Sequence, residues 1–189
     1  MALDKIVLDI ETKNSFADVG GQENLKKLDA SFVGVYSYNQ NKYLSFFENQ
    51  FSELGELLKK TGLLIGFSSK RFDIPVLEKY FKFGINKIPH VDLLEEVELN
   101  FGRRISLDIL AKTNLGIGKT NHGLEAIKFY NDGDLASLEK YCINDVKITK
   151  ELYELAKKQG HLFIPERTTG ELVKVFLDWQ EGFLPPTLF

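Results

Sequence analysis

Two carboxylates separated by one residue close an apolar stretch near the N-terminus, namely Asp9 and Glu11 in residues 5–12 (KIVLDIET). In a strand, side chains alternate between two faces, so Asp9 and Glu11 would lie side by side on one face. Like charges this close raise each other's pKa unless a cation compensates them, which favours a divalent metal site. The same pair could instead mark the point where an edge strand emerges into water.

A third acidic residue follows a second apolar strand. Asp73 comes directly after residues 66–72 (GFSSKRF) and precedes Pro75, a residue that the first turn of a helix tolerates. Asp73 could be an ordinary helix N-cap. It could also contribute to a site, because loops that follow the strands of an α/β sheet are where ligand groups commonly gather.

A fourth acidic residue interrupts the apolar stripe of a long helix predicted over residues 135–159. The inward positions of this helix are Leu138, Cys142, Asp145, Ile148, Leu152 and Leu155. An inward carboxylate such as Asp145 needs a partner. Tyr141 lies one turn before Asp145 on the same side of the helix. The alternative is a tyrosine packed at the core edge beside an ion pair between Asp145 and a lysine.

In their order and approximate spacing, these residues resemble the three motifs of the DEDD exonuclease superfamily, here Asp9-x-Glu11, Phe72-Asp73-x-Pro75 and Tyr141-x-x-x-Asp145. A tyrosine four residues before the last aspartate is typical of the DEDDy branch. The sequence is most similar to the proofreading exonuclease domain of family B DNA polymerases and its stand-alone bacterial relatives. The resemblance covers roughly residues 4–158.

This resemblance implies a 3′ to 5′ exonuclease that hydrolyses phosphodiester bonds with two divalent cations, Mg²⁺ or Mn²⁺. Asp9 would bridge both ions, Glu11 and Asp145 would complete the site that activates water, and Asp73 would act through the second ion or its surroundings. Tyr141 would orient the water, because a phenol with an ordinary pKa of about 10 is mostly protonated at neutral pH. The alternative is an RNase H-like module that binds nucleic acid or scaffolds a complex and cleaves weakly or not at all.

Substrate contacts are expected around the same residues. Family members commonly carry asparagine where this chain has Ser68, so the sequence departs from the family at a residue that helps hold the substrate. The other candidates for substrate contact are Phe72, Thr12, Lys70 and Arg71. The expected substrate is nucleic acid with a free 3′ end, single-stranded DNA rather than RNA because of the polymerase resemblance. A polymerase, helicase or clamp would be the partner, and DNA repair is one role that fits.

Basic residues could add a path for phosphates, although the chain as a whole is not basic. Its 24 Lys and Arg against 27 Asp and Glu leave a formal net charge of -3, so any interaction with nucleic acid must rest on a local site. The candidate cations are Lys70, Arg71, Arg103, Arg104, Lys112 and Lys119. Scattered surface cations are the usual alternative. The histidines, His90, His122 and His161, lack metal-ligand spacing and are expected at surface or capping positions.

The elements that must hold these residues follow from hydrophobic periodicity. Strands are predicted at residues 5–12, 31–39, 42–48, 63–65 and 88–91, and helices at residues 51–58, 76–81, 106–114, 121–130 and 135–159. The first three strands predict an antiparallel meander, and the strand, helix, strand order that follows predicts parallel additions. The expected fold class is α/β, and the resemblance implies an RNase H-like mixed sheet flanked by helices. A small C-terminal β-hairpin is predicted over residues 161–179.

Composition limits the remaining possibilities. A chain of 189 residues with 43% hydrophobic residues can bury one sizeable core. We expect residues 1–160 to form the exonuclease domain and residues 161–189 to be a hairpin and tail packed on it or extending it. The single cysteine excludes a disulfide framework and a cysteine zinc site. Neither a signal peptide nor a membrane span is predicted, and a cytoplasmic location is expected.

Overall fold

The structure, a computed structural model, describes residues 3–117, 123–179 and 181–182. Within these ranges the strands are β1 (Asp4–Thr12), β2 (Ala30–Ser37), β3 (Lys42–Phe47), β4 (Thr61–Gly66), β5 (His90–Asp92), β6 (His161–Pro165) and β7 (Leu172–Phe176). The α-helices are α1 (Phe51–Leu58), α2 (Asp73–Leu77), α3 (Leu93–Phe101), α4 (Leu107–Leu115), α5 (Gly123–Asn131) and α6 (Leu135–Gln159). None of the helices in the described ranges is long and apolar enough to cross a membrane.

The main sheet has five strands in the order β3-β2-β1-β4-β5. Strands β1, β2 and β3 pair antiparallel, whereas β4 lies parallel to β1 and β5 parallel to β4. The predicted mixed α/β sheet, antiparallel first and then parallel, is therefore confirmed. Strand β1 lies at its centre, so both of its edges are paired, with β2 and with β4.

The alternation of β1 divides the core into two layers. Ile6, Leu8 and Ile10 pack on one side of the sheet with apolar residues of α1 and α2. Val7 points to the other side, into a cluster that includes residues of α4 and α6. Asp9 and Glu11 follow Val7 on that side, so two carboxylates continue an apolar row toward α6.

The C-terminal hairpin is confirmed and joins the second of these layers. Strands β6 and β7 pair antiparallel as a separate two-stranded sheet. Their inward residues, Leu162, Ile164 and Val175, are buried in the same cluster as α4 and α6. Trp179 follows the hairpin and stacks on Tyr153 of α6 at a centroid distance of 5.6 Å. These contacts are consistent with a hairpin that packs on the main domain, while the boundary at residue 160 stays a prediction.

Two helical regions differ from the prediction. Helix α3 was not predicted, although Asp92 caps its first turn and Gly102 ends it in a left-handed conformation with φ 83°. These are ordinary start and stop signals, and Leu93, Leu94 and Val97 are buried on one side of the helix, so α3 could have been predicted from the sequence. The helix predicted over residues 76–81 is α-helical only to Leu77 and continues as a 3₁₀ turn over Glu78–Tyr80. The apolar tail at residues 183–189 lies outside the described residues.

Candidate metal centre

Two residues of β1 and one of α6 form the group best placed to hold a metal ion. Ligand atoms of Asp9, Glu11 and Cys142 all lie within 4.8 Å of one another. The Cys142 thiol lies 3.4 Å from both the backbone oxygen and the Oδ2 of Asp9. Burial, together with the charges of Asp9 and Glu11, raises the pKa of this thiol well above its ordinary value. Cys142 is therefore a neutral hydrogen-bond donor to Asp9, and sequence reasoning had treated it only as a core residue.

A glycine of β2 allows α6 to come this close to the sheet. Gly34 is the antiparallel partner of Asp9. A Cβ atom at Gly34 would lie 3.0 Å from Cγ2 of Val146, 3.1 Å from Sγ of Cys142 and 3.3 Å from Cδ1 of Ile143. All three contacts are tighter than ordinary van der Waals packing, and all three come from α6. Because Gly34 has no side chain, α6 can pack close to β2 and therefore close to Asp9 on the neighbouring strand β1.

Asp73 brings a third carboxylate toward Asp9. It is the first residue of α2 and only 3% exposed. Burial and then the charge of Asp9 raise its pKa well above the ordinary value, while backbone amides of Asp73 and Ile10 act in the opposite direction. Its Oδ1 has no hydrogen-bond partner in the described part of the chain. The N-cap alternative is wrong, because Phe72 occupies that position.

Tyr141 and Asp145 lie on the buried side of α6. Tyr141 is 6% exposed and packs in a cluster with Phe32, Ala126 and Leu138. Asp145 is 3% exposed, one turn further along the helix that also carries Cys142. Asp145 does not belong to the group of ligand atoms within 4.8 Å of one another. Its assignment as a metal ligand, and that of Tyr141 as a catalytic residue, stay predictions.

Asp92 organises the loop between β4 and α2, a role that sequence reasoning missed. Its Oδ1 accepts a hydrogen bond from the Ser68 amide at 2.8 Å, and its Oδ2 accepts one from the Lys70 amide at 3.0 Å. The same carboxylate caps α3 through the amides of Leu94 and Glu95. An acidic residue between an apolar strand and a helix was a readable N-cap signal. Ser68 itself has φ 62°, a left-handed conformation that asparagine adopts more readily than serine.

A second contact fixes this loop to β5. The Oγ of Ser69 lies 2.8 Å from Nε2 of His90. A Cβ at Gly66 would lie 2.0 Å from that Oγ, so the close turn requires glycine. Burial lowers the pKa of His90 to about 3, which keeps the ring neutral at physiological pH. His90 is therefore a half-buried residue at the start of β5 that contacts the loop, rather than a fully exposed surface residue.

The predicted substrate residues separate into two groups. Thr12 and Phe72 line a cavity of about 350 Å³ next to Glu11, and the ring of Phe72 meets that of Phe16 edge to face at 5.9 Å. The others contact α3 or the segment that follows it. Arg104 donates a hydrogen bond to the Oγ of Ser68 at 3.2 Å. Lys70 pairs with Glu95, and Arg71 pairs with Glu98 at 2.7 Å.

The described cations that were predicted to form a phosphate path therefore already make ion pairs or hydrogen bonds within the protein. Besides the pairs just described, Arg103 donates to the backbone oxygen of Pro165 at 2.8 Å, and Lys112 pairs with Asp108 at 2.8 Å. Lys119 lies outside the described residues, as does His122. A phosphate that approached these cations would have to compete with the existing partners.

The donor set fits a hard divalent cation. Asp9, Glu11 and Asp73 offer carboxylate oxygens, the ligands that Mg²⁺ and Mn²⁺ prefer. The buried Oδ1 of Asp73 without a hydrogen-bond partner, beside a second carboxylate that raises its pKa, is an arrangement that a cation would compensate.

Comparisons with known proteins agree with this architecture. A family model described as the RNase_H superfamily matches residues 6–157. Among solved structures, the chain is similar to a family B DNA polymerase from the hyperthermophilic archaeon Pyrobaculum calidifontis, with a TM-score of 0.63 and 16% sequence identity. It is also similar to a structure of Exonuclease I in its apo form, with a TM-score of 0.55 and 14% identity. A search of curated proteins found no significant match.

The coverage of these matches is unequal. The polymerase match covers 83% of this chain and 25% of the polymerase chain, and the Exonuclease I match covers 84% of this chain and 42% of that one. The chain therefore spans about a quarter of the polymerase chain and less than half of the Exonuclease I chain. The family model confirms the expected RNase H-like fold and the solved structures agree with it in fold alone, whereas assignment to the DEDDy branch stays a prediction.

Proposed function

Since this chain belongs to the RNase H superfamily, we propose that it is a metal-dependent 3′ to 5′ exonuclease, with single-stranded DNA as its preferred substrate. The observation that carries the proposal is the close approach of the Asp9 and Glu11 ligand atoms at the end of the central strand, together with the buried Asp73, whose pKa the charge of Asp9 raises. Carboxylates this close to one another are costly unless cations neutralise them. The Exonuclease I likeness and the motif order support the same reaction class.

Each of the predicted site residues would have a separate role in hydrolysis. Asp9, Glu11, Asp73 and Asp145 would hold two Mg²⁺ or Mn²⁺ ions. When bound, such a pair supplies an activated water and stabilises the charge that develops at the phosphorus and on the leaving oxygen. The Tyr141 hydroxyl, one helical turn from Asp145, orients the attacking water by a hydrogen bond. Phe72 and Thr12 line the cavity beside Glu11 and hold the terminal nucleotide.

The direct test is incubation of the protein with a 5′-labelled single-stranded oligonucleotide and Mn²⁺. We expect a ladder of products shortened stepwise from the 3′ end, and none when a chelator is added. A matched oligonucleotide with a 3′-terminal phosphorothioate linkage should resist degradation, and the corresponding RNA tests the sugar preference. Binding without shortening would contradict the exonuclease and favour a module that binds nucleic acid without cleaving it.

Tyr141→Phe is expected to lower kcat by about a hundredfold, at the low end of what a positioned proton-handling group contributes. The ring would stay packed against Phe32 and Leu138, so stability should hardly change. Tyr130→Phe is a matched control, because it removes a hydroxyl from α5 next to the same apolar cluster. The measurement is kcat on single-stranded DNA at saturating Mn²⁺ for the wild type and for each of the two variants. Undiminished kcat in Tyr141→Phe would remove this residue from the mechanism.

A further inference from the structure

A groove of about 520 Å³ opens beside Tyr141 and shares no lining residue with the cavity next to Glu11. It is bounded by α6, by the end of α5 and by the edge strand β3. The residues of its lining that matter here are Tyr43, Phe129, Lys140, Tyr141, Asn144 and Lys147. Tyr141 therefore contacts both the buried cluster at the candidate metal centre and an open groove on the surface.

The charge of this groove is positive, in contrast to the chain as a whole. Lys140 and Lys147 are seven residues apart on α6, which places them on one face and about 10 Å apart along the helix axis. None of the lining residues in the described part of the chain is acidic, although Glu151 lies beside Lys147 and the chain has a net charge of -3. An anionic ligand would find two cations here and no repelling carboxylate in the lining.

Lys140 and Lys147 also make fewer and longer ion pairs than the cations of the predicted phosphate path. Lys140 makes no ion pair within the described residues. Lys147 makes only a long contact of 3.9 Å with Glu151, and 55% of its side chain is exposed. By contrast, Lys70, Arg71 and Lys112 each pair with a carboxylate. Phosphates could therefore bind Lys140 and Lys147 without displacing a strong internal partner.

Aromatic rings accompany the cations. Tyr43 is 38% exposed on the edge strand β3, and its ring is supported by Tyr36 at a centroid distance of 4.9 Å. Phe129 lines the groove from α5. A positive groove with accessible rings is the combination that binds single-stranded nucleic acid, because phosphates contact the cations and bases stack on the rings.

We propose that this groove binds the single-stranded part of the substrate that lies on the 5′ side of the bond to be cleaved. Lys140 and Lys147 contact its phosphates, Tyr43 stacks on a base, and Asn144 offers an amide to the backbone. The inference rests on the proposed exonuclease function, because Tyr141 is what connects the groove to the site of hydrolysis. According to this proposal, α6 and β3 bind the single-stranded substrate, and the loop at residues 68–71 does not.

Binding without catalysis tests the groove separately from the reaction. Lys140→Glu/Lys147→Glu is compared with Lys60→Glu/Lys158→Glu, which makes the same charge change at exposed lysines outside the groove lining. With a chelator present, fluorescence anisotropy of a labelled twelve-nucleotide oligothymidylate should give a Kd about tenfold higher for the groove variant. The salt dependence should also weaken by about 1.4 in the slope of log Kd against log salt, since single strands release about 0.7 counterions per phosphate contact.

Catalysis then distinguishes this inference from the proposed function. The p-nitrophenyl ester of thymidine 5′-monophosphate reaches only the hydrolytic centre, whereas an oligonucleotide also occupies the groove. We expect the ratio of kcat/KM for the oligonucleotide to that for the ester to fall about tenfold in the groove variant and to stay unchanged in the control. Lys140→Gln/Lys147→Gln repeats the test with a milder change, and the melting temperature checks the fold of each variant.

The groove assignment and the exonuclease proposal can each be overturned without the other. A groove variant with the Kd and the rate ratio of the control would overturn the groove assignment even if the protein is an active exonuclease. A wild-type protein that hydrolyses neither substrate would overturn the exonuclease, whereas the anisotropy comparison would still decide whether the groove binds single strands.

Discussion

Asp9→Asn is expected to lower kcat/KM for single-stranded DNA by about a thousandfold or more, as removal of one member of a group that acts as a unit commonly does. Asp9 lies in the group formed with Glu11 and Cys142, and its charge also raises the pKa of Asp73. The substitution keeps the shape of the side chain and removes the charge that a cation would need. Undiminished nuclease activity in this variant would contradict the mechanism.

Stability in the presence of metal gives this prediction a second readout. In the wild type, a divalent cation should raise the free energy of unfolding by about 2.7 kcal/mol at a hundred times its Kd. Asp9→Asn should lose most of that gain, and without metal it should be at least as stable as the wild type because repulsion of Asp73 is relieved. Glu56→Gln makes the same change at an exposed position of α1 and should leave both activity and metal stabilisation intact. Thermal unfolding with Mn²⁺ and with chelator measures these differences.

Gly34→Ala is expected to lower activity by about a hundredfold, because a displacement of about 1 Å at a reacting centre can cost that much. The new methyl group would lie 3.0 to 3.3 Å from three side chains of α6, so the helix must move away from β2 and carry Tyr141, Cys142 and Asp145 with it. Overpacking of this kind typically destabilises a protein by about 1–3 kcal/mol. Activity should therefore fall much more than the folded fraction does.

A second substitution tests whether the helix position is the cause. Val146 supplies the shortest of the three contacts, at 3.0 Å, so Gly34→Ala/Val146→Ala should recover much of the lost activity. Val146→Ala alone serves as the control for the cavity that it leaves. A double-mutant cycle on kcat/KM measures the coupling between the two positions. Full activity in Gly34→Ala, or no coupling in the cycle, would show that α6 does not need its present distance from the sheet.

Much of the fold could be predicted because it depends on local patterns. The alternation in residues 5–12 placed Asp9 and Glu11 on one face, and the structure confirms that Ile6 and Val7 point to opposite layers. The stripe of α6 correctly placed Asp145 among buried residues. These predictions succeed because the periods of a strand and a helix are written in the residue types themselves. Helix α3 was missed although Asp92 caps it, Gly102 ends it and Leu93, Leu94 and Val97 form its buried side.

Residue types and their periodicity were enough to predict the acidic residues and the elements that carry them. Which residues contact one another depends on how those elements pack. Cys142 lies 133 positions from Asp9 in the chain and joins its group because Gly34 lets α6 approach. Asp92, likewise, binds a loop more than twenty positions away. The ion pairs of Lys70 and Arg71, and the groove beside Tyr141, also arise from packing between distant segments. Periodicity reports which face a residue occupies, whereas contacts between faces depend on the distance and register at which whole elements pack.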